Sequence, residues 1–506
     1  MKLFSAKRKS IHEAGQQRGV ALLIFVIVLV LGSITYYLTS LSVEDIKLYQ
    51  KEKTAQSLQQ AKQALLAYAA AYSDLDSDGD GNADFPGEFG FLPCPDYNNG
   101  LDEGIEDSSP CAVTNISKLG YLPWRTLGIP PFKDGGGACL LYAVSGEYKN
   151  STINKSPMLN EDTNGMFKVV DVANNPIIGI DPDERVVAII FSAGESLPGQ
   201  TRDVTAGALC SRDLLTPDDY SAYLDIANSN LQGVADTLDT FLHAIFGSDQ
   251  LATPYNDKFV TITRKELWDA VILRTDFSVN AASVMRRQTQ ALAMCLAAYA
   301  NNSGNRKLPR PAAIDFVGTD YRVDGNYGDS GGVSFLGRYP YTVFNSDLLM
   351  IGNAPNMAQS ILFNKGFCDA LVVAGGPDKN LTTGAQAEGY MLWKNWKDHF
   401  FYTVSNYYAP SGAADTGAPS CDGTNCLVVG GVQYAAVVIY AGSRVGASTR
   451  NEPVAGDADT KNNLAFYLEV ANPAGNGLGD YTPALNSNDI MFCITDTDPM
   501  NVVTCP

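Results

Sequence analysis

Gln17-Arg18-Gly19-Val20-Ala21-Leu22-Leu23-Ile24-Phe25-Val26-Ile27-Val28-Leu29-Val30-Leu31 sets the end of a basic leader directly against an apolar run. The charges stop at Gly19 and hydrophobic side chains begin with the next residue, whereas a secretory signal ends its apolar core at a small-residue cleavage site. No proline precedes Pro86 and Gly32 is the only interior glycine, so the pattern predicts one helix from Val20 to about Tyr72. Such a helix is about 80 Å long at roughly 1.5 Å per residue. Its first half is apolar all round and reads as a membrane span with Gly32, Ser33 and Thr35 inside it. Its second half is amphipathic: Leu58, Ala61, Leu65, Tyr68 and Tyr72 form one stripe, and Gln56, Gln59, Lys62 and Gln63 lie off it.

Outward from this helix, 506 residues with 45% hydrophobic content predict two domains with substantial cores. The net charge is −19, and losing a leader that holds Lys2, Lys7, Arg8, Lys9, Arg18 and Glu13 would bring it to −23. That acidity argues against nucleic acid and favours cations or basic partners. The basic leader is expected to stay cytoplasmic, which puts the bulk of the chain in the periplasm or outside the cell. All ten cysteines follow the apolar run and point to an oxidising compartment. Cys94, Cys111, Cys139, Cys210, Cys421, Cys426, Cys493 and Cys505 are the candidate disulfide cysteines. Cys421/Cys426, Cys493/Cys505 and Cys94/Cys111 sit close enough in sequence to close loops, though spacing alone leaves the pairing open. None of them has a zinc-type spacing.

The chain also resembles itself. Tyr142-Ala143-Val144-Ser145 recurs as Tyr402-Thr403-Val404-Ser405, and Ala188-Ile189-Ile190-Phe191-Ser192-Ala193-Gly194 as Ala436-Val437-Val438-Ile439-Tyr440-Ala441-Gly442. Thr201-Arg202-Asp203 matches Thr449-Arg450-Asn451 at the same offset. Tyr223 to Asn228 matches Tyr467 to Asn472, and Asn256 to Thr263 matches Asn488 to Thr495. Gly120-Tyr121-Leu122-Pro123-Trp124 is paired with Gly389-Tyr390-Met391-Leu392-Trp393. Collinear blocks of this kind predict two copies of one head. A long helix is expected between them, from the capping-box pattern Thr263-Arg264-Lys265-Glu266 to about Asn301, packing on the second sheet. Strand signals fall at 186–191 with 434–440 and at 258–262 with 490–494. The expected fold class is α+β, an antiparallel sheet on a helix, twice.

Asp76-Ser77-Asp78-Gly79-Asp80-Gly81-Asn82-Ala83-Asp84 carries carboxylates and a glycine in the order of an EF-hand-type calcium loop. Asp76, Asp78, Asp80 and Asp84 are candidate ligands, Asn82 would offer its carbonyl, and Glu88 stands one residue late for the bidentate position held by Gly87. Calcium is expected as a structural staple between helix and head.

Catalysis has little to draw on. His12, His243 and His399 are the only histidines. His12 lies in the leader, His243 in an apolar run, and His399 in the packed amphipathic segment Trp393 to His399. No nucleophile-elbow or Walker pattern occurs, and Gly135-Gly136-Gly137 reads as a flexible turn. The chain reads as a non-enzyme. Trp124 and Trp393 read as core aromatics.

The Gly19/Val20 junction and the helix behind it resemble the type IV pilin and pseudopilin family, in which prepilin peptidase cuts after the glycine and the new N-terminus is methylated. Val20 and Ile24 stand where the family usually has phenylalanine and glutamate. The resemblance extends to Leu92-Pro93-Cys94-Pro95 and to Leu122 through Ser145. It implies cleavage between Gly19 and Val20 and a pilin-like head on a long helix. The family's glutamate neutralises the N-terminal ammonium of a neighbouring subunit inside an apolar bundle, where an unpaired charge is costly. Its absence here, with the bulky doubled head, points to a minor or tip subunit of a type IV pilus or type II secretion pseudopilus. The expected organisation is a leader at 1–19, a transmembrane and assembly segment at 20–43, a first head at 44–263 and a second copy at 264–506. Expected partners are other pilins or pseudopilins, prepilin peptidase and the inner membrane. The expected location is the inner membrane as a single-pass protein with a periplasmic head, then the cell-surface filament. The other function class left open is a membrane-anchored calcium-dependent adhesin that enters no filament.

Overall fold

A computed structural model describes residues 16–506 apart from 41–42, 77–78, 98–103, 108–110, 112–115, 151–157, 203–209, 211–219, 226–227, 229–238, 243–254, 279, 303–304, 317–320, 330–333, 342–387, 411–418, 423–424, 445–449, 451–459, 469–478 and 482–487. Where one helix was expected at the N-terminus the structure describes α1 (Gln16–Ser40) and α2 (Val43–Ala71), and the two residues between them lie outside the described residues.

Among the described residues no helix is long and apolar enough to cross a membrane. This overturns the expected single-pass inner-membrane anchor with its periplasmic head. A span needs about 20 apolar residues, and the unbroken apolar run of α1 stops at Leu31, before Gly32, Ser33 and Thr35. The Ser33 and Thr35 hydroxyls donate back to the carbonyls of Val30 and Leu31.

The amphipathic stripe of α2 is buried as its periodicity requires, with Leu58, Ala61, Leu65 and Tyr72 in the core. It lies on a sheet in which β1 (Lys118–Tyr121), β2 (Leu141–Val144), β5 (Val186–Ser192) and β7 (Lys258–Thr263) pair antiparallel in that order. β3 (Phe167–Val170), β4 (Pro176–Ile178) and β6 (Asp239–Leu242) extend this sheet, β6 running parallel to β3. A second antiparallel sheet has the order β8 (Leu336–Arg338), β9 (Phe400–Val404), β12 (Ala436–Tyr440), β14 (Ile490–Ile494) and β15 (Val502–Thr504). β10 (Leu427–Val429), β11 (Val432–Tyr434) and β13 (Gly479–Tyr481) form a small third sheet.

The helix expected at 263–301 is two helices, α3 (Arg264–Ile272) and α4 (Val284–Asn302). Thr263 and Glu266 form the expected capping box in full. The chain turns after Leu273 and buries Phe277 against Phe89 and Trp396, a contact that a straight helix would forgo. α3 packs beside α2, whereas α4 packs on β12 and β14.

Four strands of each main sheet follow the same order, with matching pairs at several positions. Tyr142 stands opposite Gly120 and Ile190, and Tyr402 opposite Gly337 and Val438. Val144 pairs with Ala188, which pairs with Ile262; Val404 pairs with Ala436, which pairs with Ile494. The hydroxyls of Tyr142 and Tyr402 donate to the carbonyls of Pro93 and Pro309. Leu92 N–H donates to Tyr148 O and Leu308 N–H to Tyr408 O. Gly120 therefore corresponds to Gly337, and not to Gly389 as its sequence block implied. A side chain at Gly120 would strike Pro95 and Asp96, and one at Gly337 would strike Pro311 and Ala312. Gly389 lies in α5 (Glu388–Trp396), where the similar letters serve a helix.

The central strands β2 and β5 of the first main sheet and β9 and β12 of the second are buried on both faces. Tyr142, Val144 and Ile190 of the first and Tyr402, Val404 and Val438 of the second enter one continuous core with α2, α3, α4 and α5. The opposite faces are covered separately, by Tyr220 and Leu224 in the first half and by Tyr467 and Leu468 in the second. These central strands accordingly read as largely apolar runs.

Candidate functional site

Two of the regions singled out in the sequence have surface character. Along α1, Val20, Leu22, Phe25 and Leu31 are 59%, 67%, 62% and 57% exposed, so the apolar helix stands free on every side. In the acidic loop, Asp76 Oδ1 accepts from the N–H groups of Gly79 and Asp80 at 2.8 and 3.2 Å, and its Oδ2 from Gly81 at 2.9 Å. Asp80 accepts from Asn82 at 2.7 Å. Asp78 lies outside the described residues. Glu88 is buried, near enough to Tyr72 to help burial raise that phenol, while Asp76 and Asp80 face solvent. Asp84 is half-buried.

Cys94–Cys111, Cys421–Cys426 and Cys493–Cys505 close the loops that spacing suggested, and Cys139 bonds Cys210 across 71 residues. Trp393 and Trp396 are fully buried, and Tyr341 stacks on Trp393 at 4.7 Å. Trp124 is partly buried beneath Arg125. His243 lies outside the described residues.

The densest polar chemistry was not singled out in the sequence. Among the described residues, metal-ligating side-chain types converge at Glu161, Asp162 and His399, all buried, with ligand atoms within 4.8 Å of one another. Glu161 and Asp162 come from the loop before β3, and His399 ends the turn that joins α5 to β9. His399 Nδ1 lies 2.9 Å from Asp398 Oδ1. Its Nε2 faces Asp162 Oδ2 at 3.4 Å and Glu161 Oε1 at 3.5 Å.

Four basic side chains close around these carboxylates. Arg450 reaches Glu161 Oε1 at 3.0 Å, and Arg444 reaches Asp162 Oδ1 at 3.0 Å. Lys461 pairs with Asp398 and stands 3.6 Å from Asp162 Oδ2. Arg338 donates to the carbonyls of Asp398 and Lys461. Burial alone would raise the Asp162 carboxyl, but His399, Lys461, Arg444 and Arg450 outweigh it and hold it at about 2. Around this cluster Asn160 donates to Asn395 O and Asp398 Oδ1, both at 2.8 Å, and Leu159 N–H donates to Asn395 Oδ1 at 3.0 Å. Asp183 pairs with both Arg264 and Arg444.

The arrangement joins the two halves of the chain through buried charge. It offers a cation poor terms, because the carboxylate oxygens that face His399 are already shared with Arg450, Lys461 and the Tyr467 hydroxyl. No sequence signal marked it: the Asn160-to-Asn164 run reads as a polar loop, and Asn395 and Asp398, which Asn160 bonds, lie more than 230 positions away. No family model, curated protein or solved structure matches this chain.

Proposed function

We propose that this chain is a minor, tip-type pilin-like structural subunit of a type IV pilus or type II secretion pseudopilus, processed by prepilin peptidase between Gly19 and Val20. One observation carries the reading: α1 is apolar on every side and covered on none along Val20 to Leu31. Surface of that extent gains by leaving water, and a bundle of equivalent helices from neighbouring subunits would bury it all round. The Gly19/Val20 junction supplies the processing signal, and α2 continues into a head it packs against.

The head is read as two copies of one pilin-like unit. Strand order and register repeat, and so does a loop anchor: Arg202 donates to the carbonyls of Gly194 and Ala222 and lies over Tyr223, as Arg450 does with Gly442, Phe466 and Tyr467. A doubled head suits a terminal position better than a repeating one, where its bulk would crowd its neighbours. The acidic loop is read as a calcium staple held by Asp76, Asp78, Asp80, Asp84 and the Asn82 carbonyl, with the buried Glu88 left out of the set.

Mass spectrometry of the protein from cells with and without prepilin peptidase tests the assignment. A peptidase-dependent chain beginning at N-methylated Val20 is expected. An intact leader in both strains would overturn it.

A further inference from the structure

His399 is fully buried, and every neighbouring element presents it with charge or an aromatic ring. Asp398 of its own turn takes Nδ1, with Lys397 beside it bonded to Asp324 at 2.9 Å. The loop before β3 presents Glu161 and Asp162 to Nε2. The chain after β12 brings Arg444 and Arg450 onto those two carboxylates, and the turn at 460–467 brings Lys461 and Tyr467. β8 contributes Arg338, β12 contributes Tyr440, and α5 contributes Trp396.

Nδ1 donates to Asp398 at a normal hydrogen-bond distance, which leaves Nε2 to decide the state of the ring. Without a proton, its lone pair would face two carboxylate oxygens in a buried site, where no protein donor reaches it. With a proton, Nε2–H points between both oxygens and the ring becomes the cation that Glu161 and Asp162 share. A divalent metal would use the same gap, but it would meet Arg450, Lys461 and Arg444 already on those carboxylates.

We propose that His399 is a buried imidazolium that locks the first half of the molecule, through Glu161 and Asp162, to the second, so that loss of its proton loosens this joint. The inference is independent of the filament reading. Burial opposes the charge, but Asp398 and Asp162 outweigh it and hold the imidazole above its ordinary value. The linkage follows from that direction: the contribution is complete below the unfolded value of about 6.5 and is lost as pH rises through the folded one.

The chain has three histidines, so 15N-histidine labelling of the wild-type protein reads the ring directly, with His399→Gln identifying the signal. Two protonated nitrogens at pH 6.5 are expected. As pH rises further, amide exchange, corrected for its intrinsic pH dependence, should quicken around 158–164 and 397–399. In thermal melts, His399→Phe should fall below wild type at pH 6, with the gap shrinking by pH 9. A neutral His399 at pH 6.5 would overturn the proposal. So would one equivalent of bound metal together with stability that rises through pH 6.5, the sign expected when a metal needs the deprotonated ring.

Discussion

Asp257 and Asp225 each accept from the other's backbone N–H, at 3.1 and 3.4 Å, and Asn228 donates to Asp257 at 2.9 Å. Burial first, and then the charge of Asp225, push the Asp257 carboxyl up to about 7. The folded protein therefore holds a proton that the unfolded chain releases near 3.8. Below that value both states are protonated; between about 4 and 7 only the unfolded state ionises, so stability falls as pH rises through that window. Asp257→Asn keeps an acceptor for Asn228 and removes the slope. Thermal melts should show the variant above wild type at pH 8 and level with it at pH 4. The Asn-Asp pair was visible in sequence because Asn488-Asp489 repeats it, yet its altered acidity was not, since that depends on burial and on a carboxylate 32 positions away. The same holds for His399, which local spacing marked as a packing residue and three-dimensional contact surrounded with charge.

Elements were legible wherever a local signal specified them. The Thr263/Glu266 capping box was read from four letters and is present with both of its hydrogen bonds. Thr263→Ala should cost about 1 kcal/mol in denaturant unfolding by stripping a partner from the first turn of α3. Strand positions were legible too, because β5 and β12 are unbroken apolar runs between turn residues. Helix length was misjudged where the chain turns before α4. There burial of Phe277 against Phe89 and Trp396 outweighs helical continuity. The acidic loop remains a local reading. If it binds calcium, wild-type protein should melt at a higher temperature in millimolar calcium than in chelator, and equal melting would remove the ion from the account.

At the scale of the whole molecule, helices α2 to α5 and the inner faces of both main sheets contribute to one core, and the buried charges of 161–162, 398–399, 444, 450 and 461 lie across the same joint. Two halves tied in this way should unfold together. Urea denaturation at pH 6 should give one transition, coincident by tryptophan fluorescence and circular dichroism. Lys461→Met, which leaves Asp398 and Asp162 short of a buried cation, should cost about 3–5 kcal/mol. The sequence alone indicated the apolar N-terminal helix, the strand positions and three cysteine pairs near enough to close loops, because hydrophobic periodicity and short spacings are local properties. Tertiary structure alone decided that Gly337 answers Gly120, that Cys139 bonds Cys210, and that Glu161 and Asp162 meet His399. Each of these joins residues far apart in the chain, and only packing the two halves onto one core brings them within reach.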